Sequence, residues 1–216
     1  MRCGDALRRS YAYIDAMTPL RAALAPLALI ALPLHALAAE VPLDTLSAYL
    51  NGLTSVEAPF QQVNADGSKA RGTIYIQRPG RARFEYAAPD KSLVLASGGM
   101  VAIFDAKSNQ PPEQYPLART PLNLILAKDV NLSTAKMVVG HGEVGSTTRV
   151  TAQDPKHPDY GTIELVFSES PVALTQWIIT DDIGNQTSVA LGPLTSGGNY
   201  SSGLFSIDLE ASRRTR

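Results

Sequence analysis

Between Thr73 and Arg78 the chain alternates so regularly that it leaves few ways to fold. Ile74 and Ile76 fall on one side of an extended strand, Thr73, Tyr75 and Gln77 on the other, and the same count places Arg78 on the isoleucine side. Ala82, Phe84 and Tyr86 likewise oppose Arg81, Arg83 and Glu85, and Ile163, Leu165 and Phe167 separate from Glu164 and Ser168. Turn signals punctuate these runs at Asp66-Gly67, Pro79-Gly80, Pro89-Asp90, Gly98-Gly99, Gly140 to Gly145, Pro155 to Gly161 and Gly197-Gly198. Strands of this texture at this spacing predict an antiparallel meander with one apolar face and one wet face. Leu93-Val94-Leu95 and Trp177-Ile178-Ile179 are apolar on both sides and read as covered strands.

Two helices are expected over the apolar face. Leu43, Leu46, Leu50 and Leu53 recur at i, i+3, i+7 and i+10 after Pro42, a stripe on one side of a helix. Thr120-Pro121 reads as an N-cap followed by proline at the first helical position, and Leu122, Ile125 and Leu126 recur at helical spacing up to Lys128. A one-faced sheet and two one-striped helices bury their apolar surface only against each other, so the fold class is α+β. At 216 residues, 44% of them hydrophobic, the chain supports one core, and the mature part is read as a single domain.

Arg78 sets a problem for that arrangement, because an unpaired guanidinium on an apolar face is costly. Two readings answer it. Arg78 precedes the Pro79-Gly80 turn and snorkels to water from the strand end. Alternatively it donates to carbonyls of a covering helix or loop as a reversible latch, each bond to a charged donor being worth about 1.5–3 kcal/mol.

The first residues belong to another class. Ala22 to Leu34 is an apolar run preceded by Arg21 and followed by Ala36-Leu37-Ala38, the pattern of a secretory signal peptide over residues 1–38 with an A-x-A cleavage site. The run is short of the ~20 residues that span a bilayer and is broken by Pro26 and Pro33, so no stable membrane anchor is expected. Residues 1–16 are long and acidic for a signal's opening, and Met17 makes a more ordinary start. The single cysteine, Cys3, lies upstream of the cleavage site, which leaves residues 39–216 without a disulfide or a lipidated cysteine. Removing residues 1–38 takes away four of 19 basic and two of 20 acidic side chains, leaving 15 against 18. That balance, with no basic block, argues against nucleic acid as a partner.

Catalytic constellations are missing. His141 and His157 sit in turn-like Gly/Pro contexts outside any H-E-x-x-H, and no G-x-S-x-G elbow or phosphate-binding glycine loop occurs. Asp181-Asp182 and the pair Asp154 and Asp159 lie in sequences typical of solvated turns. The chain is therefore not expected to be an enzyme.

One ordered series of residues resembles a known family. Phe60-Gln61-Gln62, Gly67, Gly72-Thr73-Ile74-Tyr75-Ile76-Gln77-Arg78-Pro79-Gly80, Arg83-Phe84-Glu85-Tyr86 with Pro89, Phe104-Asp105, Gln110 and Thr120-Pro121-Leu122 together resemble the outer-membrane lipoprotein carrier (LolA) family. The similarity is strongest over Leu53 to Leu126 and compatible to about Leu209. It implies a strongly curved antiparallel sheet, an open half-barrel, capped by a helical lid over an apolar cavity.

It further implies a monomeric periplasmic chaperone for acylated lipoproteins, loaded by an inner-membrane lipoprotein-releasing ABC exporter and unloaded by an outer-membrane lipoprotein receptor. No cofactor and no metal are expected. In that family an arginine before proline on an early strand latches the lid, the place Arg78 holds here. The acyl-chain cavity is then assigned to Ile74, Ile76, Phe84, Tyr86, Ile163, Leu165 and Phe167. The lid underside falls to Leu43, Leu46, Leu50, Leu53, Leu122, Ile125 and Leu126.

Taken alone these apolar residues read better as a solid interior; only the resemblance calls for a cavity. The chain departs from the family at Ala82, where an aromatic is frequent, at Gly98-Gly99, where Asp-Gly is common, and through the half after Lys128, where the receptor-contact surface cannot be placed. A lipid-sensing regulatory module on the same scaffold is the alternative function. It would need room for a further partner-binding domain. A membrane-anchored receptor would need a cysteine where Ala39 stands.

Overall fold

Strand parity carries through into burial. Along Ser55–Val63 (β1), Lys69–Gln77 (β2) and Arg81–Tyr86 (β3), the alternate residues Val56, Ala58, Phe60, Ile74, Ile76, Ala82 and Phe84 are buried. Their neighbours of opposite parity are half-buried or exposed. The structure is a computed structural model and describes residues 40–108 and 110–214; the signal peptide over residues 1–38 and the start at Met17 lie outside the described residues.

The remaining strands are Leu93–Ser97 (β4), Met100–Phe104 (β5), Glu113–Pro116 (β6), Val138–Val144 (β7), Thr147–Gln153 (β8), Thr162–Glu169 (β9), Val172–Thr180 (β10), Gln186–Leu191 (β11) and Thr195–Ser196 (β12). Helices occupy Leu43–Gly52 (α1), Leu122–Leu126 (α2) and Ile207–Arg214 (α3). All twelve strands form one antiparallel sheet in the order β6-β5-β4-β3-β2-β1-β11-β10-β9-β8-β7, with β12 alongside the start of β1.

The expected meander is thus two meanders, β1 to β6 and β7 to β11, joined where Phe60 to Val63 pair with Leu191 to Ser188. Residues aligned across the first meander form rows on one face. Val56, Ile76, Ala82, Ala96 and Val101 make one row, and Ala58, Ile74, Phe84, Val94 and Ile103 the next. Phe60, Gly72 and Tyr86 make the third. Gly72 is required there: a Cβ would lie 2.0 Å from the Glu85 carbonyl oxygen and 2.8 Å from the Phe60 ring, so only glycine lets the two rings meet across β2.

Helices α1 and α2 pack on this face in one apolar cluster with both meanders. Leu46 and Leu50 are fully buried and Leu43 and Leu53 partly so. In α2, Leu124, Ile125 and Leu126 are buried and Leu122 is half-buried. This helix is shorter than the spacing predicts and begins at Leu122, with Pro121 in helical geometry before it. Thr120 does not cap it: its backbone is extended and its hydroxyl donates to the Leu117 carbonyl, 2.8 Å away, finishing a preceding 3-10 turn.

The opposite face has a cover that periodicity did not announce. Leu93, Leu95, Ala102 and Phe104 form a second buried cluster under Ile207 and Ala211 of α3, which is why Leu93-Val94-Leu95 is apolar on both sides. Glu210 of α3 is buried there between Arg83 (3.5 Å), Arg214 (3.0 Å) and Arg213 (4.0 Å), so the carboxylate is paired as burial demands. In β10 a bulge between Leu174 and Gln176 brings Leu174 and Trp177 onto the buried face together, while Ile178 and Ile179 are only half-buried. His141 lies within β7 rather than in a turn.

Replacing Gly72 by alanine is expected to destabilise the fold by about 1–3 kcal/mol, because the added carbon overpacks the β2–β3 seam. Urea unfolding monitored by far-UV circular dichroism measures it; an unchanged midpoint would contradict the packing described.

Candidate functional site

An α-helix ends with four carbonyls that lack intrahelical partners and with the negative end of its dipole. Two such ends, those of α1 and α2, meet at Arg78. Its Nε donates to the Ala127 carbonyl at 2.9 Å, and Nη2 donates to the same carbonyl at 2.6 Å, to Lys128 O at 3.3 Å and to Asn51 Oδ1 at 3.2 Å. Nη1 donates to the Leu50 carbonyl in the last turn of α1.

The strand places the arginine for this. Arg78 is the next residue in phase after Ile74 and Ile76, and its own N–H donates to Thr54 O at 2.8 Å. Its acceptors are neutral, and among the described residues it makes no ion pair. Burial holds its pKa below the ordinary arginine value, with the charge of Asp129 working against that shift.

Backbone and amide bonds surround the arginine. Gly80 N–H donates to Leu126 O at 2.9 Å, and the Asn51 amide exchanges two bonds with Val130, donating to its carbonyl at 2.8 Å and accepting from its N–H at 2.9 Å. Ser47 Oγ accepts from Leu132 N–H at 2.9 Å. The start of α1 is held at the other meander, where Val41 N–H donates to Thr148 Oγ1 at 2.8 Å and the His141 ring lies 3.0 Å from Val41 O.

Ile74, Ile76, Phe84, Ile163, Leu165 and Phe167 are all buried, and Tyr86 is partly buried, in the cluster that contains the helix leucines. Their face is filled by α1 and α2 side chains. A half-open pocket of about 60 Å³ lies beside α2, reaching from Arg119 and Asp154 at the surface to Leu124 and Ile163, space for a few water-sized spheres. An aromatic series crosses the face: Trp177 meets Phe84 at 6.2 Å, Phe84 meets Phe60 at 5.8 Å, and Phe60 meets Tyr86 at 5.1 Å, all edge to face.

At the end of that series the Tyr86 hydroxyl donates to Gln62 Oε1 at 2.8 Å. Burial first, and the charge of Asp90 second, push the Tyr86 phenol up to about 12, with the Gln62 bond opposing them. Gln62 is a residue that parity could have found, since it follows Phe60 by two in β1. Asn51, Ala127 and Lys128 carry no such signal, because two of them act through backbone carbonyls.

No group of three or more histidine, cysteine or acidic side chains is arranged to hold a metal among the described residues. His157 stacks on Tyr160 at 4.6 Å, and the Asp181 carboxylate accepts from Ile183 and Asn185 N–H within its own turn.

Residues 51–208 match the family model for the outer membrane lipoprotein carrier protein LolA. This chain belongs to the LolA family. The outer-membrane lipoprotein carrier protein of Chromohalobacter salexigens is 27% identical over 197 residues, covering 87% of this chain and 92% of that protein. Its counterpart from Neisseria meningitidis serogroup C is 26% identical over 169 residues, covering 75% and 80%.

A solved LolA superfamily protein from Nitrosomonas europaea aligns over 78% of this chain and 99% of its own, at 10% identity and a TM-score of 0.44. As a LolA-family carrier, the chain works in lipoprotein transport and is not an enzyme. The family match spans Arg78, three of its four acceptor residues, Asn51, Ala127 and Lys128, and the pair Gln62 and Tyr86.

The Tyr86 hydroxyl predicts a pH dependence. A phenol that ionises at 10.0 when unfolded and near 12 when folded contributes stability that is complete below pH 10 and is lost as pH climbs toward 12. Tyr86→Phe should remove that part of the loss, so denaturant midpoints of variant and wild type should converge near pH 12 and differ below pH 10. A constant difference across the range would show that Tyr86 is not held in this way.

Proposed function

We propose that this chain is a periplasmic chaperone that takes the acyl chains of lipoproteins released from the inner membrane and passes them to a receptor in the outer membrane. A signal peptide over residues 1–38 delivers it across the inner membrane. An ABC exporter loads it, and it acts as a monomer. Its sheet is read as a strongly curved, open half-barrel. Its lid is α1 with α2, bearing Leu43, Leu46, Leu50, Leu53, Leu122, Ile125 and Leu126. Ile74, Ile76, Phe84, Tyr86, Ile163, Leu165 and Phe167 line the acyl site, and Arg78 is the latch.

The observation that carries this reading is the guanidinium bridge between the ends of both covering helices. Every acceptor is a carbonyl or an amide, so opening leaves no carboxylate unpaired, and the released groups can be hydrated. A bond to a charged donor is worth about 1.5–3 kcal/mol net, which is enough to favour closure and small enough for a ligand to overcome.

The ligand supplies more than that. At about 0.8 kcal/mol per buried CH₂, a chain of roughly 16 carbons is worth more than ~10 kcal/mol in transfer from water. Admitting it means lifting α1 and α2 from the face they fill, exposing Leu46, Leu50 and Ile125, each worth about 1.5–3 kcal/mol when buried. Part of the acyl chain's favourable transfer is therefore consumed in opening, and cargo is held less tightly than a membrane would hold it. A carrier needs that balance, because release to a receptor is downhill only when closure returns some of the energy.

Arg78→Leu tests the latch. The variant should retain acylated cargo while handing it to the receptor at least about tenfold more slowly, since losing even one charged hydrogen bond removes roughly a tenfold bias toward closure. Transfer between purified components measures this, and wild-type hand-over would remove Arg78 from the mechanism. The mature chain isolated from periplasm should also carry triacylated protein detectable by intact mass spectrometry, whereas consistent isolation without lipid-modified cargo counts against the carrier reading.

A further inference from the structure

The apolar face is bounded at both ends by polar groups. At one end stands Arg78. At the other, Tyr86 donates to Gln62 Oε1 at 2.8 Å, Gln62 donates to Asn64 Oδ1 at 2.7 Å, and Asn64 donates to Ser68 Oγ at 2.9 Å, a chain of bonds that leads out to the β1–β2 turn. Between the ends lie the rows of Ile76, Ile74 and Gly72. At about 3.4 Å per residue, Arg78 and the Gly72 row are roughly 20 Å apart along β2. One leaflet of a bilayer, half of a ~30 Å hydrocarbon core, sets a single acyl chain at about 15 Å. The apolar stretch is thus long enough to hold one chain.

Beyond the Tyr86–Gln62 bond the surroundings change character. A surface groove of about 710 Å³ that Gln62 and Asn64 line begins there, with Lys69, Arg71 and Lys107 around it. Neither lysine nor Arg71 makes an ion pair among the described residues. A methyl group pushed past the pair would break a part-buried hydrogen bond and reach open surface, where it gains little from further burial.

We propose that the Tyr86–Gln62 pair is the closed end of the acyl site and limits the length of chain that the carrier takes. This rests on the carrier reading above and adds a specificity determinant to it. Tyr86 is suited to the part because its ring is fixed edge to face on Phe60 across Gly72, where no side chain intervenes. The hydroxyl thereby reaches across β2 to Gln62, whose amide is held from behind by Asn64.

The test is a series of synthetic diacylglyceryl-cysteine peptides of increasing acyl length, titrated by calorimetry against the wild-type mature chain and Gln62→Leu/Tyr86→Phe. The double variant removes both polar groups together, so neither is left unpaired, and it keeps the ring on Phe60. Wild-type affinity should rise about fourfold per added methylene and then level off. In the double variant the rise should continue for two or more carbons beyond that point. Equal plateaus in the two proteins would overturn the proposal while leaving the carrier reading intact. Absence of binding by both at every length would overturn the carrier reading and this one with it. Should the double variant fail to fold, Tyr86→Phe alone, which keeps the ring and opens the same end, is read by the same comparison.

Discussion

Two helices lie across an apolar sheet face and both terminate above the same strand end, which brings together carbonyls from the ends of both. One guanidinium binds both sets. Arg78 reaches Leu50 O on one side and Ala127 O with Lys128 O on the other, using all three of its nitrogens. Lysine would not serve, because a compact ammonium on a flexible stem lacks the flat fork that lets one side chain face two helix ends at once. The bonds from Gly80 to Leu126 and from Asn51 to Val130 gather around the same point, while the start of α1 is tied separately to β7 and β8 through Val41. The cover is therefore tied by polar bonds at its ends and held between them by apolar contact.

That division has a consequence for a carrier. Apolar contact is non-directional and roughly proportional to area, so contact between the helices and the sheet can be replaced by contact with an acyl chain at similar free energy. Hydrogen bonds at Arg78 are directional and cannot be replaced by a hydrocarbon. In the proposed cycle the first kind of interaction sets how well the cargo binds, and the second sets the bias toward the closed, empty form. The filled face belongs to that closed form.

The parts legible in the sequence were those carried by local periodicity. Alternation in β2, β3 and β9 assigned the buried face residue by residue, and leucine spacing placed α1. Parity also put Arg78 on the apolar side, although it left open whether the side chain ran to water or inward; the carbonyls that answer the question lie 28 and 49 residues away. The cover over Leu93 and Leu95 was legible only as a demand, since both parities were apolar. Its source, α3, carries a weak apolar pattern of its own. Thr120 misled because a threonine before proline signals a cap, whereas a 3-10 turn upstream claimed its hydroxyl.

The sequence by itself determined the one-faced strands, the striped helices, the absence of a catalytic constellation and the family. Each of these rests on interactions between near neighbours or on the order of motifs along the chain. Only the tertiary structure decided that β1 pairs with β11, that α3 covers the second face, which carbonyls receive Arg78, and that Tyr86 meets Gln62. Those contacts join residues far apart in the chain through backbone atoms or single polar groups. Such partners leave no periodic trace, because a carbonyl is the same at every residue and its role is set by where the fold carries it.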